Sequence, residues 1–479
     1  MKLTFDVADK PKSGQLIVFA LQQMLAILAA TIAVPLIIGN GLTPAAAMFG
    51  AGVGTIVYIL FTKRKSPVFL GSSFAFLGSM AAAFAGGVSM QLGMLGLIIG
   101  AALAGLVYVI IAIVVKFVGV GWLNKLMPAV VIGPTVAIIG LSLAGNAIGD
   151  LLKGDVTNQV TEYAVSTDSG TPEIIETVSS AAVGSPYVAF ICGMITLAVV
   201  MLCSTYGKKT MKLIPFIIGI LAGYAAASVF TVIGNVCGID SLKIIDFSVF
   251  SSYMLENGSI SLKTFLSIPD FAFVSGIKGL KEFDISYFAT IFVAYVPVAL
   301  VVFAEHVADH KNLSSIIDHD LLEEPGLTRT LLGDGVGSVA GAIFGGCPNT
   351  TYGESVACVA ITGNASVITI FAAAIGCMLF SFITPLVAFV DSIPACVMGG
   401  VCIALYGFIA VSGLKMIQNV DLEENRNLFV VSVILIAGIG GLTLTFGKIT
   451  LTEVAAALIL GILANVMLSK KTESDKNKD

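Results

Sequence analysis

A glutamate, Glu354, closes the run Pro348-Asn349-Thr350-Thr351-Tyr352-Gly353-Glu354 inside a strongly apolar chain. A proline opens the run, and small, polar or β-branched residues follow it. Such a stretch makes a poor membrane helix, and irregular backbone at membrane depth is tolerated only where protein covers it or where it lines a cavity. An acid carried there is a candidate site by default. The competing reading is a solvated glutamate on a short surface loop. A second cluster, Glu305-His306-Val307-Ala308-Asp309-His310, follows an uncharged run from residue 287 to 304. Glu305 and Asp309 are spaced i,i+4 on one helix face, and His306 and His310 form a second such pair, rotated by one position. A His-x-x-x-His pair is a metal-ligand spacing. The glutamate precedes the first histidine, however, so no zincin signature is present, and no metal or cofactor is expected. If its helix starts near Ser286, Glu305 is at the helix end, where solvated charges are the plain reading. If it starts nearer Val293, Glu305 is central. Asp334 interrupts another apolar run and is read as a structural polar contact.

Composition says what must hold these residues. Hydrophobic residues make up 57% and charged residues 11% of the 479, and the mean hydropathy is +0.99. Soluble domains carry about 25% charged residues, so the chain is an integral membrane protein. No basic patch with interleaved aromatics exists, which excludes a nucleic-acid partner. The polar stretch before Ser13 and the first apolar run show no A-x-A-like cleavage site, so no cleaved signal peptide is expected. The eight cysteines form no C-x-x-C pair and read as small apolar side chains.

A spanning helix needs about 20 apolar residues. Candidates run near 14–39, 43–62, 92–117, 126–149, 186–205, 213–236, 286–305, 329–346, 364–389, 394–414, 427–446 and 450–469. Two further stretches, 66–85 and 348–362, are too short and broken for ordinary helices, which makes about fourteen crossings. With the N-terminus inside, 19 lysines and arginines fall on the inner side and 6 on the outer. This positive-inside bias places both termini in the cytoplasm. The acidic segment 150–185 reads as an external loop, and 237–285 as an external excursion with interfacial pieces.

The halves repeat. Pro128-Ala129-Val130-Val131-Ile132-Gly133 resembles Pro394-Ala395-Cys396-Val397-Met398-Gly399, and each half places a short Pro-led segment third. Seven crossings per half is odd, so the second half is inverted. Inverted repeats with broken elements at matching positions point to a secondary transporter. The fold class expected is an all-α polytopic membrane protein with a 7+7 inverted repeat. Gly71-Ser72-Ser73-Phe74 and Thr351-Tyr352-Gly353-Glu354 would then meet at the midplane. Each offers backbone donors, an aromatic face and a small residue, which suits a flat polar ligand; the plain alternative for Phe74 and Tyr352 is packing.

These residues resemble the nucleobase–ascorbate transporter family, in particular its bacterial uracil permeases. The likeness runs through Leu21-Gln22-Gln23, Leu70-Gly71-Ser72-Ser73-Phe74-Ala75-Phe76, Ala304-Glu305-His306-Val307, Pro348 to Glu354 and Leu405-Tyr406-Gly407. The resemblance implies a core domain and a gate domain, frequent homodimerisation, and proton-coupled uptake across the plasma membrane. The core would comprise 14–149 (with the start of the gate) and 286–389, and the gate 186–236 and 390–469. Segments 1–13 and 470–479 would be cytoplasmic. Glu305 and Glu354 would be the side-chain ligands of a pyrimidine. Phe74 and Gly353 would give backbone contacts, and Ala30, Tyr352 and Tyr406 would pack on the ring. Three departures stand out. Gln23 follows Gln22 where similar permeases often have histidine. Asp309 stands where related uracil permeases can have histidine. Glu354-Ser355-Val356-Ala357 replaces the usual Glu-Asn-x-Gly, with Thr362 and Gly363 retained.

The expected function is a proton-coupled symporter importing a nucleobase, uracil foremost, with Glu305 and Asp309 handling the proton. A membrane-buried carboxyl holds its proton more tightly than one in water, which gives such coupling a physical basis. A xanthine or urate permease is the alternative within the family. An anion transporter or channel is the alternative of another class, against which paired acids argue. No nucleophile–base set, phosphate loop or metal cage supports an enzyme.

Overall fold

A computed structural model describes residues 3–119, 128–166, 173–255, 259–418, 420–446 and 449–475. Lys2, Lys125, Lys448, Lys476 and Lys478, used in the charge count, lie outside these residues. Among the described residues, eight helices are long and apolar enough to cross a membrane: Ser13–Ile38, Pro44–Phe61, Met90–Val118, Ala129–Leu151, Pro186–Tyr206, Pro215–Cys237, Ile285–Ile317 and Ala395–Met416. Several begin on local chemistry. The Thr43 hydroxyl accepts from Ala46 N–H with Pro44 in the first turn, Ser89 accepts from Leu92 N–H at 3.1 Å, and Asp284 from Tyr287 N–H at 2.6 Å. These oxygens meet donors that a helix start leaves free.

Shorter apolar helices complete the set: Phe74–Ala83, Gly353–Thr362, Val367–Phe380, Asn425–Ile439 and Glu453–Leu468. The stretch 364–389, expected as one helix, is two, Val367–Phe380 and Thr384–Asp391. Ser267 N–H donates to Phe382 O and Thr384 N–H to Phe265 O, so the intervening backbone bonds outside any helix. The apolar run 427–446 leaves its helix at Ile439 and ends in a strand, Leu444–Phe446, paired with Ile449–Leu451. Gly441, at φ +68°, makes the turn that a side chain would strain. The acidic segment read as a loop is a ten-pair hairpin, Thr157–Ser166 with Glu173–Ala182. Its β-branched and aromatic residues favour that ladder over irregular chain.

Both broken segments have the same local build. The first is a strand, Leu70–Ser72, then a 3₁₀ turn, Phe74–Phe76, then a helix, Leu77–Ala83. The second is a strand, Asn349–Thr351, then the helix Gly353–Thr362. The strands pair antiparallel, with Leu70 opposite Thr351, Gly71 opposite Thr350 and Ser72 opposite Asn349. Each ladder end is extended: Tyr352 N–H donates to Phe69 O at 3.2 Å and Ser73 N–H to Pro348 O at 2.9 Å. The pairing satisfies backbone groups that hydrocarbon could not. Around it, Pro44–Phe61 packs against Leu327–Gly345 on glycines. A Cβ at Gly54 would lie 2.7 Å from Gly337 O, so only glycine permits this approach.

The stretch from Leu3 to Asp9 is a strap rather than a free polar terminus. Thr4 N–H donates to Gly363 O at 2.7 Å, Ala365 N–H to Phe5 O and Val367 N–H to Val7 O. Leu3 and Val7 cover a buried cluster that includes Tyr58, Leu70, Val356 and Val359.

The chain divides into two compact units. One comprises Met1–Leu143, Phe265–Val387 and Leu405–Asp479; the other comprises Ala144–Thr264 and Ala388–Ala404. The paired strands and both acidic clusters belong to the first.

Candidate functional site

Glu354 lies in the first turn of the Gly353–Thr362 helix, two residues past the paired strand. No side chain caps that helix start at Tyr352, nor the 3₁₀ start at Ser73. The opening N–H groups of a helix have no intrahelical partner, and they carry its positive pole. Glu354 therefore sits where negative charge is favoured. Gly353 is exposed, and a Cβ there would meet only Asp309 Oδ1, at 3.8 Å. The helix start thus borders open space beside an acid. The surface-loop reading of Glu354 fails, because Asn349, Thr350, Thr351 and Tyr352 before it are all buried.

The helix carrying the second cluster begins at Ile285 and ends at Ile317. It rises about 1.5 Å per residue, so it is far longer than a bilayer core requires. Glu305 stands well inside it. The reading of this cluster as charges at a helix end is overturned, because the helix runs on past it to Ile317; His306 and His310 are fully buried, and Glu305 and Asp309 are half-buried. Asp309 Oδ2 accepts from the Thr351 hydroxyl at 2.9 Å. Glu305, Asp309, Glu354 and Asp334 lie close enough to act on one another electrostatically. Two acids that stood far apart in the sequence are thus brought to one place.

The two histidines have defined partners. His306 Nδ1 lies 2.7 Å from Asp334 Oδ2, and Nε2 lies 3.0 Å from Thr330 Oγ1. Thr330 donates its hydroxyl hydrogen to Leu327 O. The oxygen therefore accepts from His306 Nε2–H, and the contact between Nδ1 and Asp334 needs a further proton. Asp334 and His306 together hold it, as a net neutral pair, which suits two side chains closed off from solvent. The Thr350 hydroxyl lies beside the same carboxylate. His310 Nδ1–H donates to His306 O at 2.7 Å, leaving Nε2 of the neutral ring to accept from Tyr58 OH at 2.6 Å. Tyr58 in turn contacts Ser66 Oγ at 2.7 Å. Sequence spacing suggested neither arrangement. The visible signal was the coincidence of a lone aspartate and two histidines in apolar runs.

The aromatic candidates are placed as follows. Tyr352 is buried and donates its hydroxyl to Ser72 O at 2.7 Å. Its ring covers Gly71 so closely that a Cβ there would fall 2.3 Å from the ring. Phe74 and Tyr406 meet edge to face, with centroids 5.8 Å apart. Ala30 is buried in the Ser13–Ile38 helix, which packs on the Leu70–Ser72 strand and on the Gly353–Thr362 helix. Ser73 Oγ is buried with no partner among the described residues.

Paired broken segments, half-helix starts and clustered acids inside a multi-pass membrane chain define a transporter. The profile of the Permease family matches residues 14–183 and 173–446, and the chain belongs to that family. Its relatives include the uracil permease of Bacillus caldolyticus, 34% identical over 99% of this chain and 97% of that protein. The uracil permease of Bacillus subtilis (strain 168) is 34% identical over 98% and 97%. That of Escherichia coli (strain K12) is 33% identical over 95% and 92%. Among solved structures, the transmembrane domain of the cyanobacterial bicarbonate transporter BicA superposes with a TM-score of 0.58 at 13% identity, covering 95% of this chain and 97% of that one. The murine anion transporter Slc26a9 gives 0.60 at 11%, covering 97% and 69%. At such identity these two speak for the fold alone.

Proposed function

We propose that this protein imports a nucleobase, uracil foremost, by proton-coupled alternating access. The observation that carries the reading is Glu354 in the uncapped first turn of a half-helix, with Glu305 and Asp309 beside it. A carboxylate accepts from a ring N–H, and free backbone N–H groups donate to ring carbonyls. A neutral pyrimidine needs no counter-ion, so one acid can serve the ligand and another the proton. Glu305 and Glu354 bind the base in this reading, with backbone from Phe74 and Gly353 and packing from Ala30, Tyr352 and Tyr406. Glu305 and Asp309 carry the coupling. The names of the near-full-length relatives support uracil.

The eight long helices, the five shorter apolar ones and Leu327–Gly345 make fourteen segments. We assign them to a 7+7 inverted repeat with a core and a gate, in the plasma membrane, with both termini cytoplasmic. A homodimer is part of the proposal. Glu305, Asp309 and Glu354, brought together, disfavour an anion as cargo, despite the fold shared with anion transporters.

The test is uptake of radiolabelled uracil into proteoliposomes under an imposed inward proton gradient, with xanthine as competitor. Accumulation that a protonophore abolishes and xanthine leaves intact is the expected result. Displacement of uracil by xanthine at equal concentration, or uptake indifferent to the gradient, overturns the base or the coupling respectively.

A further inference from the structure

Two of the three departures from the usual family pattern, Gln23 and Ser355, are 332 positions apart in sequence and touch in the fold. Gln23 Nε2–H donates to Ser355 Oγ, and both side chains are buried. Ser355 Oγ also accepts from Phe69 N–H at 3.0 Å. The carbonyl of that same Phe69 accepts from Tyr352 N–H. One hydroxyl therefore ties three elements together: the Ser13–Ile38 helix, the lead-in to the Leu70–Ser72 strand, and the Gly353–Thr362 helix, in which Glu354 directly precedes Ser355.

We infer that Gln23 and Ser355 are a matched positioning pair that sets Glu354 and its helix start against the first broken segment. The physical reason is the number of donors that converge on Ser355 Oγ. Phe69 N–H precedes the first ladder pair and has no strand partner, and Gln23 is enclosed in protein. If the hydroxyl is removed, both donors are left buried and unmet, which costs more than a bond between exposed groups. The backbone around Glu354 then has to shift to satisfy them. A shift of a few tenths of an ångström at a carboxylate that must meet a flat ligand is felt as affinity. In the usual pattern these positions carry histidine and asparagine, so both members of the contact differ together.

This inference rests on the proposed uracil site. The experiment is equilibrium binding of radiolabelled uracil to the full-length protein in detergent, with a thermal melt of each variant. Ser355→Ala should weaken uracil binding about tenfold, the scale of one buried hydrogen bond lost. Ser355→Thr, which keeps the acceptor, should stay within about threefold of the natural protein on the same scale. Gln23→His and Ser355→Asn should each weaken binding, and the double variant should recover most of the loss, a non-additivity expected of residues in contact. A purely structural role would lower the melting midpoint of each variant and leave the affinity of the folded fraction unchanged. That result, or strict additivity of the two changes, overturns the pairing. Should Ser355→Ala not fold, Gln23→Leu tests the same contact from the other side, with the same weakening expected. Glu354→Gln is the control. If it binds uracil as tightly as the natural chain, the site reading falls and this inference with it. If it loses uracil while Ser355→Ala does not, the site stands and the pair does not act on it.

Discussion

Thr351 donates its hydroxyl to Asp309 Oδ2 at 2.9 Å, joining the strand of the second broken segment to the Ile285–Ile317 helix. Thr351 is also the ladder partner of Leu70. One residue thus connects both broken segments to the acidic face of that long helix. Thr351→Val keeps the β-branched shape and removes the donor. A hydrogen bond to a charged group contributes about 1.5–3 kcal/mol. Uracil uptake should therefore fall roughly tenfold or more in Thr351→Val, while Thr351→Ser stays near the natural rate. Initial uptake rates in proteoliposomes decide it, and equal rates for the two variants would remove Thr351 from the site.

Glu354→Gln preserves volume and removes the charged acceptor at the helix start. Affinity for uracil should drop about 10- to 150-fold, the range of one charge-assisted hydrogen bond. Isothermal titration on the purified protein measures it. An unchanged dissociation constant in a folded variant sinks the assignment.

Glu305→Gln resembles a permanently protonated side chain. It should still bind uracil and exchange it across the membrane, but it should not accumulate it against a gradient. Asp309→Asn should shift the pH dependence of uptake more mildly. Uptake against external pH, with and without a protonophore, separates the two. Protonophore-sensitive accumulation by Glu305→Gln would place the proton elsewhere.

The buried pair His306–Asp334 gives a stability prediction. Removing one member of such a pair strands the other, at a cost of about 3–5 kcal/mol, whereas replacing both with apolar groups of similar size is often close to neutral. His306→Leu and Asp334→Leu should each lower the melting midpoint in detergent, and the double variant should recover part of the loss. Losses that simply add would show that the two side chains are not coupled.

Asp155 gives the pH prediction. It lies outside the spanning helices and accepts from Ala395 N–H at 3.0 Å, at the start of the Ala395–Met416 helix. Burial pushes its carboxyl up to about 6, only partly offset by that hydrogen bond, and nearby Asp246 and Asp150 push the same way. The folded protein therefore holds this proton more tightly than the unfolded chain, where the pKa is about 3.9. The resulting stability is full below about pH 4 and is lost as pH rises through about 6. Melting midpoints should fall by roughly 1–2 °C between pH 5 and 7.5. Asp155→Asn should flatten that slope and raise the midpoint at pH 7.5. A slope that persists in the variant would trace it to another group.

The spanning helices were legible because their signal is local. About twenty apolar residues in a row must satisfy their own backbone in a bilayer, and the predicted bounds fall within a few residues of Ser13–Ile38, Pro44–Phe61 and Pro186–Tyr206. The prolines that led both matched motifs do precede helix starts, at Ala129 and Ala395. Glu305 and Glu354 were visible for the same local reason, as acids beside uncharged runs. Hydropathy could not see the splits at 381–383 and 440–443, because both stretches stay uncharged; at the first Phe382 O takes a distant donor, Ser267 N–H, and at the second Gly441 turns the chain on local carbonyls.

Tertiary structure alone decided which of these residues meet. Asp334 is a partner of His306 because two helices cross there, and nothing within 28 positions of sequence states it. Gln23 and Ser355 looked like unrelated departures until the fold put one hydroxyl between them and Phe69. A sequence records which groups must be satisfied. Only the packed chain supplies the partner, because a buried donor or acceptor is satisfied by whatever the fold brings within about 3 Å of it.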